Sequence, residues 1–201
     1  DFSDPIINKL GDVLVLGQFD DGSGLFLHDG LDAIAIAQSG DPTPKGGIYT
    51  SFFGPLTLND RGQTAFEARF TGGMSGVFRG DRTTVTPIAV KGAAAVGTTG
   101  TFDTFGALQI GKDGSVVFIA TLTIGVGGVD TSNNVGIWIG RSESDLHLVA
   151  RTGQSVAGKT LTRPLSLAQL NMDQHSIVWL GRFAGNAVAI VSSDLASNLN
   201  N

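Results

Sequence analysis

Cysteine is absent from this chain, which removes disulfides and thiolate metal sites from consideration. Charge is scarce as well. Only 15% of residues are Asp, Glu, Lys or Arg, where an average globular chain has about a quarter. What charge there is sums to −5, so the basic face of a non-specific nucleic-acid binder is missing and no nucleic acid is expected as a partner. No run approaches the roughly 18 apolar residues of a membrane span. No Asn-x-Ser/Thr acceptor occurs, and no stretch sustains a helical period. The one helix-like patch, Ala93-Ala94-Ala95, has glycine nearby on both sides and reads as a loop.

Glycine is plentiful, at 29 of 201 residues, and 41% of the chain is apolar. Without a collagen period, that combination indicates many turns between short strands. The turns recur. Leu58-Asn59-Asp60-Arg61-Gly62-Gln63-Thr64-Ala65-Phe66 reads as a type I turn running into a half-buried strand, with Asn at its first position and Gly at its fourth. The same layout begins at Asn8 (with Gly11), at Gly111 (with Gly114 and Phe118) and, in worn form, at Asn171. The unit of about 50 residues marks a tandem repeat.

Each unit reads as four short strands. Strand a covers Val13–Phe19, Ala65–Phe70, Val116–Thr123 and Ile177–Phe183. Strand b covers Gly24–Leu27, Gly76–Arg79, Gly136–Ile139 and Ala187–Val191. Strand c covers Ala33–Ala37, Pro87–Val90 and Leu146–Ala150, and strand d covers Phe53–Leu58, Phe105–Ile110 and Pro164–Leu167. The fold class expected is all-β: a β-propeller-like array of about four blades, each of four antiparallel strands, the last incomplete. A β-sandwich or β-solenoid of the same repeats is the alternative. One domain spans 1–201, with a lone N-terminal strand (1–7), full repeats at 8–58, 59–110 and 111–170, a partial repeat at 171–191 and a polar tail at 192–201.

The ends do not match. Asp4-Pro5-Ile6-Ile7-Asn8 aligns with Gly54–Asn59, so the chain opens on a strand d and closes without a final strand c. An unpaired apolar edge has to be covered. Either the N-terminal strand closes the ring in cis, or it completes a neighbouring chain. In the second case Phe2, Pro5, Ile6 and Ile7 form the assembly strand, and a head-to-tail contact that fails to close makes a filament.

These repeats resemble bacterial secreted tandem-repeat proteins defined by an Asn-x-x-Gly-x-x-Ala-Phe signature. Asn59, Gly62, Ala65 and Phe66 match every position. The first copy matches at Asn8 and Gly11 but has Leu14 and Val15; the third keeps Gly114 and Phe118 but has Gly111 and Val117; the fourth keeps Asn171 and loses the glycine. Gly24-Leu25-Phe26 and Ala37-Gln38-Ser39-Gly40-Asp41-Pro42-Thr43-Pro44 match a second run of that family. The resemblance covers nearly the whole chain. It implies an exported, cell-surface-associated, propeller-like protein with no established chemistry; the start at Asp1 fits removal of a secretion signal.

No nucleophile elbow, P-loop, zinc-protease or dinucleotide motif occurs, so no catalytic residue and no cofactor is expected. His28, His147 and His175 lie in different units without a second ligand at metal spacing, and no metal site is expected. Asp20–Gly24 and Asp130–Asn134 carry oxygens suited to calcium but read more economically as polar turns. Trp138 and Trp179 sit inside apolar runs, where packing outweighs sugar stacking. Glu67 and Glu143 are the two glutamates, with no Asp placed beside them by the sequence. The expected function is that of a non-enzymatic extracellular structural protein whose partner is itself. The alternative is a monomeric module binding extracellular glycans on its loops.

Overall fold

A computed structural model describes residues 3–171 and 176–194. They form four antiparallel sheets of four strands each. The first sheet holds β1 (Ile6–Ile7), β2 (Val13–Phe19), β3 (Gly22–His28) and β4 (Ala33–Gln38). The second holds β5 (Tyr49–Leu58), β6 (Thr64–Phe70), β7 (Met74–Gly80) and β8 (Val85–Val90). The third holds β9 (Phe102–Ile110), β10 (Val116–Leu122), β11 (Val135–Gly140) and β12 (His147–Arg151). In the fourth, β13 (Ser155–Val156) precedes β14 (Lys159–Asn171), β15 (Ser176–Phe183) and β16 (Val188–Asp194). Among the described residues no helix is long and apolar enough to cross a membrane. The all-β, propeller-like architecture is the one the repeats predict.

Each of the first three sheets, or blades, takes strand d of one sequence unit together with a, b and c of the next; the fourth takes d, a and b, with the short β13 paired to d. The tight signature turn is the reason, because a hairpin pairs the two strands it joins. The same rule settles the N-terminal strand. Ile6 and Ile7 pair with Leu14 and Val13 across the first turn, so they are the d strand of their own blade. The hairpin ties the strand to β2 at a separation of a few residues, where loop closure costs little. Phe2 lies outside the described residues. Among the described residues β16 is an edge strand of the fourth sheet.

Side chains alternate across each strand, so every blade has two faces. Toward the preceding blade it turns aromatic residues; toward the following one it turns aliphatic residues. Leu14, Leu25, Leu27 and Ile36 of the first blade thus meet Tyr49, Phe52, Phe66 and Phe78 of the second. Ala65, Val77, Ile88 and Ala89 of the second meet Phe102, Phe118 and Trp138 of the third. Val117, Ile137, Ile139 and Ala150 of the third meet Trp179 and Phe183 of the fourth. Within the aromatic faces, Phe66 stacks on Phe78 and Phe118 on Trp138, with ring planes 22° and 18° apart. The glycine two residues before the strand-b ring makes this possible. A Cβ at Gly136 would stand 2.6 Å from the Trp138 ring.

Three core clusters therefore join four blades, and among the described residues no cluster joins the fourth to the first. The described residues form an open arc with an exposed face at either end.

Candidate functional site

The signature asparagines act between blades as well as within turns. Asn59 Oδ1 accepts the backbone N–H groups of Arg61 and Gln63 at 2.9 and 3.0 Å, closing its own turn. Its Nδ2 donates to the Gly111 carbonyl of the next turn at 2.9 Å. Asn8 repeats the device, with Oδ1 accepting from Leu10 and Asp12 and Nδ2 reaching the Asn59 carbonyl at 2.9 Å. Gly111 has no side chain, so the ladder stops there, and Asp113 secures that turn by accepting from Ser115. Gly11, Gly62 and Gly114 hold φ of 88°, 69° and 87°, the left-handed conformation that ends each type I turn. Ala65 and Phe66 are fully buried on opposite faces, one toward the third blade and one toward the first. Asn171 closes β14, and its side chain lies outside what the structure describes.

The end faces are the first candidate for function. On the first blade, Val13, Val15, Phe19, Phe26, His28 and Ala33 line an apolar hollow of about 380 Å³. This is the aromatic type of face, and among the described residues no other blade packs against it; Phe26 occupies the register position of Phe78 and Trp138. On the fourth blade, Val178 and Leu180 alternate with the buried Ile177 and Trp179, and Leu180 pairs with Ile190. Val188 and Ile190 are 49% and 75% exposed. That is the aliphatic type of face. Charge divides the same way: residues 1–48 carry eight aspartates and two lysines, whereas 155–194 carry Lys159, Arg163 and Arg182 against two aspartates.

A second candidate lies between the second and third blades, in a cleft of about 760 Å³. Glu67 lines it, 7% exposed, and among the described residues its carboxyl has no hydrogen-bond or ion-pair partner. Burial pushes its pKa up to about 7, against a smaller pull from the Arg69 charge. The Arg69 guanidinium sits 4.9 Å from the centroid of the Phe53 ring, and Lys91 pairs with Asp103 at 3.1 Å across the two blades. Gly54 leaves the carboxyl open: Glu67 Oε2 is 3.7 Å from where a Cβ would stand. The sequence singled out Glu67 only as one of two glutamates. A register comparison exposes it, because the matching positions of the other blades are Leu16, Ile119 and Leu180.

The remaining candidates have structural employment. Glu143 bridges to Lys45 at 3.0 Å, linking the first and third repeats on the surface. Trp138 and Trp179 are fully buried and donate to the Val96 carbonyl and to Ser193 Oγ. His28 Nδ1 accepts from the Gly30 N–H, and His147 lies 3.9 Å from Asp145; His175 lies outside the described residues. Asp130 accepts from the backbone and hydroxyl of Ser132, which is turn chemistry, and Asp20-Asp21 form a hairpin tip between β2 and β3. Among the described residues no three His, Asp or Glu side chains gather as a metal set would.

The chain is similar in fold to the β-propeller protein TolB from Acinetobacter baumannii, with a TM-score of 0.55 at 13% identity. The match covers 98% of this chain and 42% of that one, so the four blades span less than half of the TolB chain. No curated protein matches the sequence. A family model, the family of unknown function DUF7453, matches residues 1–186, and the chain belongs to that family.

Proposed function

We propose that this protein is a non-enzymatic, exported structural element that assembles with copies of itself, the fourth blade of one molecule stacking on the first blade of the next. One observation carries the reading. Three successive contacts lay an aliphatic face on an aromatic face, and among the described residues one face of each kind is left uncovered. The leftover pair has the chemistry of the internal pairs. The acidic first blade and the basic flank of the fourth add electrostatic steering in the same orientation. Such a contact is heterologous, so it grows a filament unless its rotation closes a ring. Among the described residues β16 is a sheet edge, and addition of a neighbour's strand along it is a second mode. A glycan as ligand is a separate matter that turns on the cleft.

The test uses two variants, Phe26→Asp and Ile190→Asp, each spoiling one end. By sedimentation velocity, wild type should assemble with concentration, each variant alone should stay monomeric, and an equimolar mixture should form a dimer through the two intact ends. Removal of residues 1–7 should leave assembly in place under face stacking and abolish it under strand addition by that segment. A wild type that stays monomeric at high concentration refutes the proposal.

A further inference from the structure

We infer that the cleft between the second and third blades is a binding site for a small neutral polyhydroxylated ligand, of the class of mono- and disaccharides, with Glu67 as its central hydrogen-bonding group. The cleft is built rather than incidental. At the register positions matching Glu67 the other blades carry Leu16, Ile119 and Leu180, and Leu16 and Ile119 pack between blades. The second blade instead places a carboxyl there, more than nine-tenths buried and without a partner among the described residues. The side chain opens onto the cleft, and a strand position that needs only packing gives no reason to place a carboxyl there. A ligand that completes its hydrogen bonds does.

The lining selects the ligand. Lys91 and Asp103 already pair with each other and Arg69 lies over the Phe53 ring, so the lining presents no cluster of one sign that calls for a strongly charged ligand. An apolar ligand would leave the carboxyl unpaired. Sugar hydroxyls both donate and accept, which suits a carboxylic acid beside a guanidinium. Raised toward neutrality by burial, the acid form offers a donor and an acceptor together. Phe105 adds an apolar surface on the side of the third blade, while the face of Phe53 is already taken by Arg69. The volume, about 760 Å³, falls within the range of roughly 300–1,000 Å³ usual for small-molecule sites.

The experiment is an NMR and calorimetric titration of the full chain with glucose, galactose, mannose, N-acetylglucosamine, cellobiose and maltose. Calcium chloride and inorganic phosphate serve as charged probes. At least one saccharide should bind saturably, with resonances of Glu67 and its neighbours shifting. Glu67→Leu should weaken that binding by at least about tenfold, the loss expected when a buried hydrogen-bonding group is deleted. Glu67→Gln, which keeps a donor and an acceptor, should stay within about threefold of wild type. The leucine variant carries the residue the fold uses elsewhere, so loss of folding does not confound it, and its thermal melt verifies this. Saccharide binding unchanged in Glu67→Leu, binding of the charged probes alone, or no saccharide bound by wild type each overturns the inference. None of these results bears on the end faces, which lie on other blades.

Discussion

Replacing Glu67 with leucine should stabilise the protein, and by an amount that depends on pH. The folded chain holds this carboxyl protonated up to about pH 7, whereas the unfolded chain releases the proton near the ordinary 4.5. Between those values the folded state binds more protons, so stability falls as pH rises from about 4.5 to 7 and is flat above. The raised pKa corresponds to ~3 kcal/mol, a ceiling because the cleft opens to water. Leucine removes the titration and adds apolar contact with the third blade. The assay is urea unfolding of both proteins at pH 5 and pH 8, at concentrations low enough to keep them monomeric. The advantage of the variant should be larger at pH 8 by about 2–3 kcal/mol. Asp29, held below its usual 3.8 by the N–H groups of Asp32 and Leu31, and Asp130, held down by the Ser132 hydroxyl, do not interfere. Their contribution is lost only as pH drops below about 4, and it is common to both proteins. Parallel stability profiles for the two proteins across this range would refute the reasoning.

Asn59→Ala removes two turn bonds and the bond to the next blade, leaving the Gly111 carbonyl only the Gly114 N–H; thermal and urea melts should show a loss of about 2–4 kcal/mol. Asn8→Ala, made at a more exposed turn, should cost less in the same assay. Gly62→Ala forces a side chain into φ 69° and should cost about 1–2 kcal/mol by urea unfolding, without altering assembly. The Tyr49 hydroxyl is buried without a partner among the described residues, in contact with Phe52 and Phe78, and burial raises its pKa. Tyr49→Phe should therefore be neutral or stabilising by up to about 1 kcal/mol in melting experiments.

Much of the fold could be read from the chain because the signature turn is local chemistry. Asn and Gly three residues apart announce a hairpin, and the hairpin fixes which strands pair. The alternation in Val116–Leu122 or Thr64–Phe70 then gives the two faces. What the residues did not disclose was non-local. The pairing of Ile6–Ile7 with β2 is one such feature, and within a single chain the short loop favours that hairpin. Whether four blades close or form an arc depends on inter-blade angles that no spacing encodes. Glu67 was hidden for a different reason. A lone glutamate in an apolar run is unremarkable until strand register shows three aliphatic residues in its place.

The two-faced blade makes length a free variable. Since every blade accepts its predecessor on rings and offers its successor branched aliphatic chains, a duplicated blade inserted anywhere finds both neighbours already fitted to it. Such a sequence grows by copying in units of about 50 residues without a new interface having to be invented. The grain of the array also runs one way, so a blade turned end for end would set rings against rings. Copies of the whole chain that meet by the same rule would inherit this polarity, with one end that extends and another that is extended upon.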